Sequence, residues 1–187
     1  MKRTGSGSFL RLAPALCFAA ILSVPLARSS RAVLVVSGED SLGTWLSQSM
    51  LVACGAFSLQ LCAIRRTWPW RVWSPAFVAL ALDERFMFHE TIKERIQLLL
   101  PTTPPRLAEA PVVVVALAGA IAARFLWRDL RTSGRALLSL GVVLGTASVG
   151  MDVARAGTLP EDVCKLLAEL CVTQALWGEL VPAPVRA

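Results

Sequence analysis

Residues 79–95, ALALDERFMFHETIKER, lead from an apolar helix into the densest run of ionisable side chains in the chain, and they hold its only histidine, His89. Asp83, Glu84, His89 and Glu90 are residue types that carry acid–base or metal chemistry. Carboxylates take up protons or bind hard cations, and an imidazole serves as ligand or proton shuttle near neutral pH. These four form the candidate catalytic set. The candidate metal set is His89, Glu90 and Asp83, completed by carboxylates from two other helix ends, Asp152 and Glu169. One histidine among carboxylates suits Mg²⁺, Mn²⁺, Ca²⁺ or a single zinc, and such an ion can activate water for ester or amide hydrolysis. A divalent cation is therefore the class of cofactor these residues admit, without naming one.

Counting ligands excludes several enzyme classes. One histidine cannot build a histidine-rich di-iron centre, the paired ExxH motifs of carboxylate di-iron bundles, or a haem held by two histidines. No HExxH, P-loop, GxSxG or dinucleotide glycine motif is present. Cys17, Cys54, Cys62, Cys164 and Cys171 are odd in number, form no CxxC pair and lie in apolar blocks. They read as small buried thiols at helix contacts rather than as a disulfide framework or zinc knuckle.

The elements that must position the candidate residues are long apolar blocks. The chain has 187 residues, 55% of them hydrophobic and only 17% charged, with a mean hydropathy of +0.60. A bilayer core of about 30 Å is crossed by roughly 20 helical residues. Blocks near that length cover 9–27, 44–64, 71–91, 110–127, 136–151 and 163–182. The pattern predicts an all-α integral membrane bundle of about six transmembrane helices in one domain, because backbone facing lipid must satisfy its own hydrogen bonds. The first block follows Lys2, Arg3 and Arg11 and ends near SVPLA. It reads as a retained first span, or signal anchor, with a cleaved signal peptide as the alternative.

The net charge of +6 does not point to nucleic acid, since the arginines sit in short clusters between apolar blocks, as topology signals do. Arg65, Arg66 and Arg71, then Arg124, Arg128, Arg131 and Arg135, mark cytoplasmic turns. Ten of the thirteen acids fall on the opposite side: Glu39, Asp40, Asp83, Glu84, Glu90, Glu94, Glu109, Asp152, Glu161 and Asp162. The expected topology is a bacterial inner-membrane protein with both termini cytoplasmic and an acid-rich face outside.

The third block sets the depth of the candidate site. Measured from Arg71, Asp83 lies about 18 Å and His89 about 27 Å along a helix. The apolar part, VWSPAFVALAL, is too short to cross alone. Either Asp83 and Glu84 lie within the hydrocarbon, where ionisable groups face a bundle interior or wet cavity, or the spanning helix ends early. On one continuous helix Asp83, Met87, Glu90 and Glu94 share a stripe beside a second stripe of Arg85, His89 and Lys93. The competing reading is a solvated juxtamembrane helix with local pairs such as Glu90 with Lys93. Lys165 with Glu169 is the equivalent local pair on the last helix.

Small residues form seams on three helices: Gly141 and Gly145 extended by Ser148; Cys164, Ala168, Cys171, Ala175 and Gly178; and Ala116 and Ala120 with Gly119 and Ala123. Such seams let helix backbones approach closely in lipid. They serve intramolecular packing, a membrane-protein partner or a second copy of the chain.

At ALDERFMFHE the chain also resembles uncharacterised bacterial multi-pass membrane proteins. These carry "LDE" followed five residues later by "HE" at a membrane-helix end, and an acidic ED/EE…K start to a late helix. The matching positions here are Asp83, Glu84, His89, Glu90, Glu161, Asp162 and Lys165. The resemblance implies a multi-pass membrane fold and no established activity. Two functions are then in competition. One is an outward-facing carboxylate/His site, metal-binding or hydrolase-like. The other is a non-catalytic accessory or assembly subunit that binds a larger membrane complex through its seams.

Overall fold

The computed structural model describes residues 41–101, 109–154 and 158–181. The block expected to form the first span, 9–27, lies outside them. The described residues form six helices and no strand: α1 (Leu42–Arg65), α2 (Trp68–Phe86), α3 (Phe88–Leu99), α4 (Ala110–Asp129), α5 (Thr132–Ala154) and α6 (Thr158–Leu180). Three of them, α1, α4 and α5, are long and apolar enough to cross a membrane, with mean hydropathies of 1.4, 2.0 and 1.7. The chain is a helical membrane protein. The charged turns of α2 and α6 set these two helices apart from that group.

Local chemistry places the ends. Ser41 caps α1 by accepting the Thr44 N–H at 3.1 Å, satisfying a donor that has no partner within the helix. Arg66 closes α1 in the left-handed conformation, its N–H on the Cys62 carbonyl. Only Arg66 and Thr67 separate α1 from α2, and Pro69 stands in the first turn of α2, where its missing N–H costs nothing. The α1–α2 and α4–α5 turns lie at one end of the bundle, here the arginine end, joined there by Glu179 of α6. Asp83, Glu84, His89, Glu90, Lys93, Glu109, Asp152 and Lys165 gather at the other, acidic end.

The third expected span, 71–91, is not one helix. Met87 adopts φ 51°, ψ 43°, and its N–H closes α2 on the Asp83 carbonyl at 2.7 Å. The Asp83 carboxylate then accepts the backbone N–H of His89 at 3.0 Å, which starts α3. A left-handed residue other than glycine costs roughly 1–2 kcal/mol, and these two bonds offset it. The break removes the stripes drawn on a continuous helix, because residues before and after Met87 no longer share a face. Asp83 and Glu84 both lie inside α2, in the last turn before this break.

Packing follows the hairpins. α1 lies against α2, α5 against α6, and α1 against α6, while α4 rests on α5 and meets α2 only slightly. The core contains Leu51, Cys54, Leu61, Trp70, Phe77, Leu126, Leu138 and Leu176. The glycine seam of α5 is used inside the bundle: a Cβ at Gly141 would stand 3.0 Å from the Ala168 carbonyl oxygen and 3.0 Å from Val172. That seam is therefore not open to a partner or a second copy. On α4 Ala123 is buried, whereas a Cβ at Gly119 would meet nothing within 4 Å.

Gly141→Leu is expected to destabilise the detergent-solubilised protein by about 1–3 kcal/mol, the usual cost of overpacking, because the backbone oxygen it meets cannot move aside. Gly150→Ala, which meets nothing within 4 Å, leaves the thermal midpoint unchanged or raises it. Melting curves of the two variants check the pair.

Candidate functional site

The turn at Met87 generates the first part of the site. Besides accepting the backbone N–H of His89, Asp83 holds the ring: Oδ2 is 2.8 Å from Nδ1. The other ring nitrogen, Nε2, lies 3.3 Å from Oε1 of Glu90. The same Glu90 oxygen accepts from Nζ of Lys93 at 2.8 Å. Asp83, His89, Glu90 and Lys93 thus form one polar line along the start of α3.

Lys93 is the hub of the acidic end. Its side chain is 7% exposed, and Nζ also pairs with Glu109 at 2.6 Å and Asp152 at 3.5 Å. One ammonium therefore gathers carboxylates from α3, from the residue preceding α4, and from the last turns of α5. Burial alone would lower the Lys93 pKa, but close pairing with Glu109 and Glu90 and the charge of Asp152 outweigh it, and the net shift is upward. Glu161, in the first turn of α6, is pushed up to about 7, first by burial and then by the negative charges of Asp152 and Asp162; Lys165 and Lys93 offset part of this.

The other candidates stand elsewhere. Glu84, adjacent in sequence to Asp83, forms an ion pair with Lys165 of α6. Glu169 accepts from the Ser47 hydroxyl of α1 at 2.8 Å. Of the catalytic set, the structure brings Asp83, His89 and Glu90 together and sends Glu84 to a different helix. Of the metal set, Asp152 reaches the group only through Lys93, and Glu169 belongs to a separate contact. Among the described residues no three His, Cys, Asp or Glu side chains come together to hold a metal ion. The chemistry of the donors agrees, since each nitrogen of His89 faces a carboxylate and an ammonium stands where Glu90, Glu109 and Asp152 meet.

Sequence reasoning missed the opposite end. Glu179, 1% exposed in its side chain, pairs with Arg65 of α1 and accepts the backbone N–H of Arg131 at 2.7 Å. A carboxylate from the last turn of α6 thereby caps the start of α5, where the helix dipole favours negative charge. Gly134 makes room for it, since a Cβ there would lie 3.0 Å from Glu179 Oε1. Asp129 accepts from Thr67 at 2.7 Å and from the Trp70 indole at 2.8 Å. The available signal was an acid among apolar residues in the last block, opposite the arginine turns.

An open apolar groove of about 490 Å³ runs between α4 and α5, lined by residues such as Val113, Ala116, Val149 and Val153. None of the candidate catalytic or metal residues lines it.

These features define a helical membrane protein with a paired, charged face at each end of the bundle. The chain belongs to a family described as a domain of unknown function (DUF8692), whose model matches residues 9–177. No curated protein and no solved structure matches it.

Lys93→Met is expected to lower stability by on the order of 2 kcal/mol. This is less than a fully buried orphan charge would cost, because Glu90 and Asp152 keep part of their water. The loss shrinks at acid pH as the abandoned carboxylates take up protons, and denaturation at two pH values checks it. For Glu161 the sign is opposite to that of a salt-bridged acid. The folded protein holds this proton more tightly than the unfolded chain, whose value is near 4.5. Stability is therefore fully present at low pH and falls as pH rises from about 4.5 to about 7. Glu161→Gln removes that decline: its advantage in melting temperature over wild type grows across this window and levels off above it.

Proposed function

We propose that the chain is a multi-pass protein of the bacterial inner membrane and a non-catalytic accessory or assembly subunit, its charged acidic end acting as a clamp on the helix ends. The observation that carries this reading is Lys93, whose buried ammonium holds Glu90, Glu109 and Asp152 from three parts of the chain. Carboxylates committed in this way fix the ends of α3, α4 and α5 and are not free to bind a substrate or cation. The same holds for Glu84, which is tied to Lys165. With the α5 seam engaged inside the bundle, one apolar face open to a partner within the bilayer is that of α4, where Val114, Val115, Leu117 and Ile121 are exposed.

In this reading α2 and α6 also cross the bilayer, their charged turns standing at its surface. The arginine end faces the cytoplasm, following the bias of basic residues toward that side. Both termini are then cytoplasmic and the acidic end is outside. Single cysteines test the orientation. A membrane-impermeant thiol reagent applied to intact spheroplasts labels Glu94→Cys and leaves Arg66→Cys unlabelled; the reverse pattern inverts the topology.

A second reading, an acid–base or metal site, is favoured by the Asp83–His89–Glu90 line, in which a carboxylate orients an imidazole as it does around a general base. Metal analysis and stability measurements on purified protein separate the two. The clamp predicts no stoichiometric metal in wild type, and Asp83→Asn and His89→Ala that change only stability. Bound metal lost in both folded variants would establish the metal site instead.

A further inference from the structure

The contact between α1 and α6 contains a carboxylate that neither the clamp nor the arginine end uses. Oε1 of Glu169 accepts the Ser47 hydroxyl at 2.8 Å, but Oε2 is buried and without a hydrogen-bond partner. The charged groups facing it are Lys165, on its own helix, and Glu84 of α2, and Lys165 is itself bound to Glu84. Next to Ser47 lies a cavity of about 10 Å³ lined by Gly43, Thr44 and Ser47 of α1, Glu84 of α2, and Asp162, Lys165 and Leu166 of α6; Glu169 does not line it and adjoins it through its bond with Ser47. That is room for roughly one water, with polar walls to hold it. Glu84, Asp162 and Glu169 bring three negative charges to this corner, and Lys165 brings one positive charge. A buried carboxylate oxygen that lacks a donor is costly, and one added proton removes the charge on it and reduces the excess of negative charge at this corner.

We propose that Glu169 is an exchangeable proton site, loaded and unloaded from the acidic end through this cavity. A hydronium entering from the cavity past Ser47 gives its proton to Oε2: an O–H bond forms on the carboxyl group, one breaks on the hydronium, and water is left behind. The Ser47 bond to Oε1 is kept in both states. On the far side Thr173 donates to the Glu169 carbonyl at 2.7 Å and lies 3.2 Å from the Cys54 sulfur. Further along the same contact, the fully buried Leu61 and Leu176 stand toward Arg65 and Glu179, while the charged groups near Glu169 stand toward the acidic end. This goes beyond the clamp, since Lys93 and its carboxylates take no part.

Infrared difference spectra of the full chain in lipid vesicles, acid minus alkaline, test the site. The expected result is a carbonyl band of a protonated buried carboxyl that shifts in D₂O, disappears in Glu169→Gln and remains in Glu161→Gln. A band that persists in the folded Glu161→Gln/Glu169→Gln double variant, or no such band in wild type, overturns the proposal. Should Glu169→Gln fail to fold, Ser47→Ala decides. Losing the hydroxyl donor moves the frequency of the band or the pH at which it appears, and an unchanged band overturns the proposal.

Discussion

At the arginine end, a carboxylate with almost no access to water must be matched by charge and hydrogen-bond donors. Every long helix contributes to the match. Glu179 of α6 meets Arg65 of α1 and the backbone N–H of Arg131, the residue before α5. Arg65 reaches on to the Asp129 carbonyl at the end of α4, and the Asp129 side chain receives Thr67 and Trp70 from the start of α2. Removing a charge from water is expensive unless its partners are already in position, so the five helix ends have few alternative arrangements. This knot sets the vertical register of α1 against α6. From it the contact runs through Leu61 and Leu176, then Cys54 with Thr173, to Ser47 with Glu169.

The acidic end is built on a different principle. There the hubs are ammonium groups, Lys93 and Lys165, and the spokes are carboxylates from other elements. An ammonium is a compact point charge on a flexible stem, without the planar fork of a guanidinium. It gathers several acids without dictating their orientation. The result ties α3 across the mouth of the bundle while leaving its own surface, including Phe88 and Ile92, exposed.

Much of the helical layout was legible in the chain. The apolar blocks 44–64, 110–127, 136–151 and 163–182 correspond to Leu42–Arg65, Ala110–Asp129, Thr132–Ala154 and Thr158–Leu180. Lipid-facing and core positions alike need apolar residues, so block length reports helix length directly. The break at Met87 was not legible: methionine is an ordinary helix former, and the left-handed conformation arises from bonds made by Asp83. The competing local pair, Glu90 with Lys93, is present, but spacing along one helix could not reveal that Glu109 and Asp152 converge on the same nitrogen. The candidate residues were recognised by type and by their shared end, while their distribution into separate contacts depends on which helices adjoin. Lys165 was assigned to Glu169 by its i,i+4 spacing and instead forms its ion pair with Glu84.

The placement of α4 bears on how the chain is made. Among the described helices α4 packs chiefly on α5, which is synthesised after it. During translation α4 therefore emerges before its principal neighbour exists, and must remain in lipid on its own merits until that neighbour arrives. It is also the most apolar of the three span-length helices, at a mean hydropathy of 2.0. Its composition suits a segment that waits alone in the bilayer, whereas the polar faces of α6 are tolerable because the helices that shield them have already been inserted.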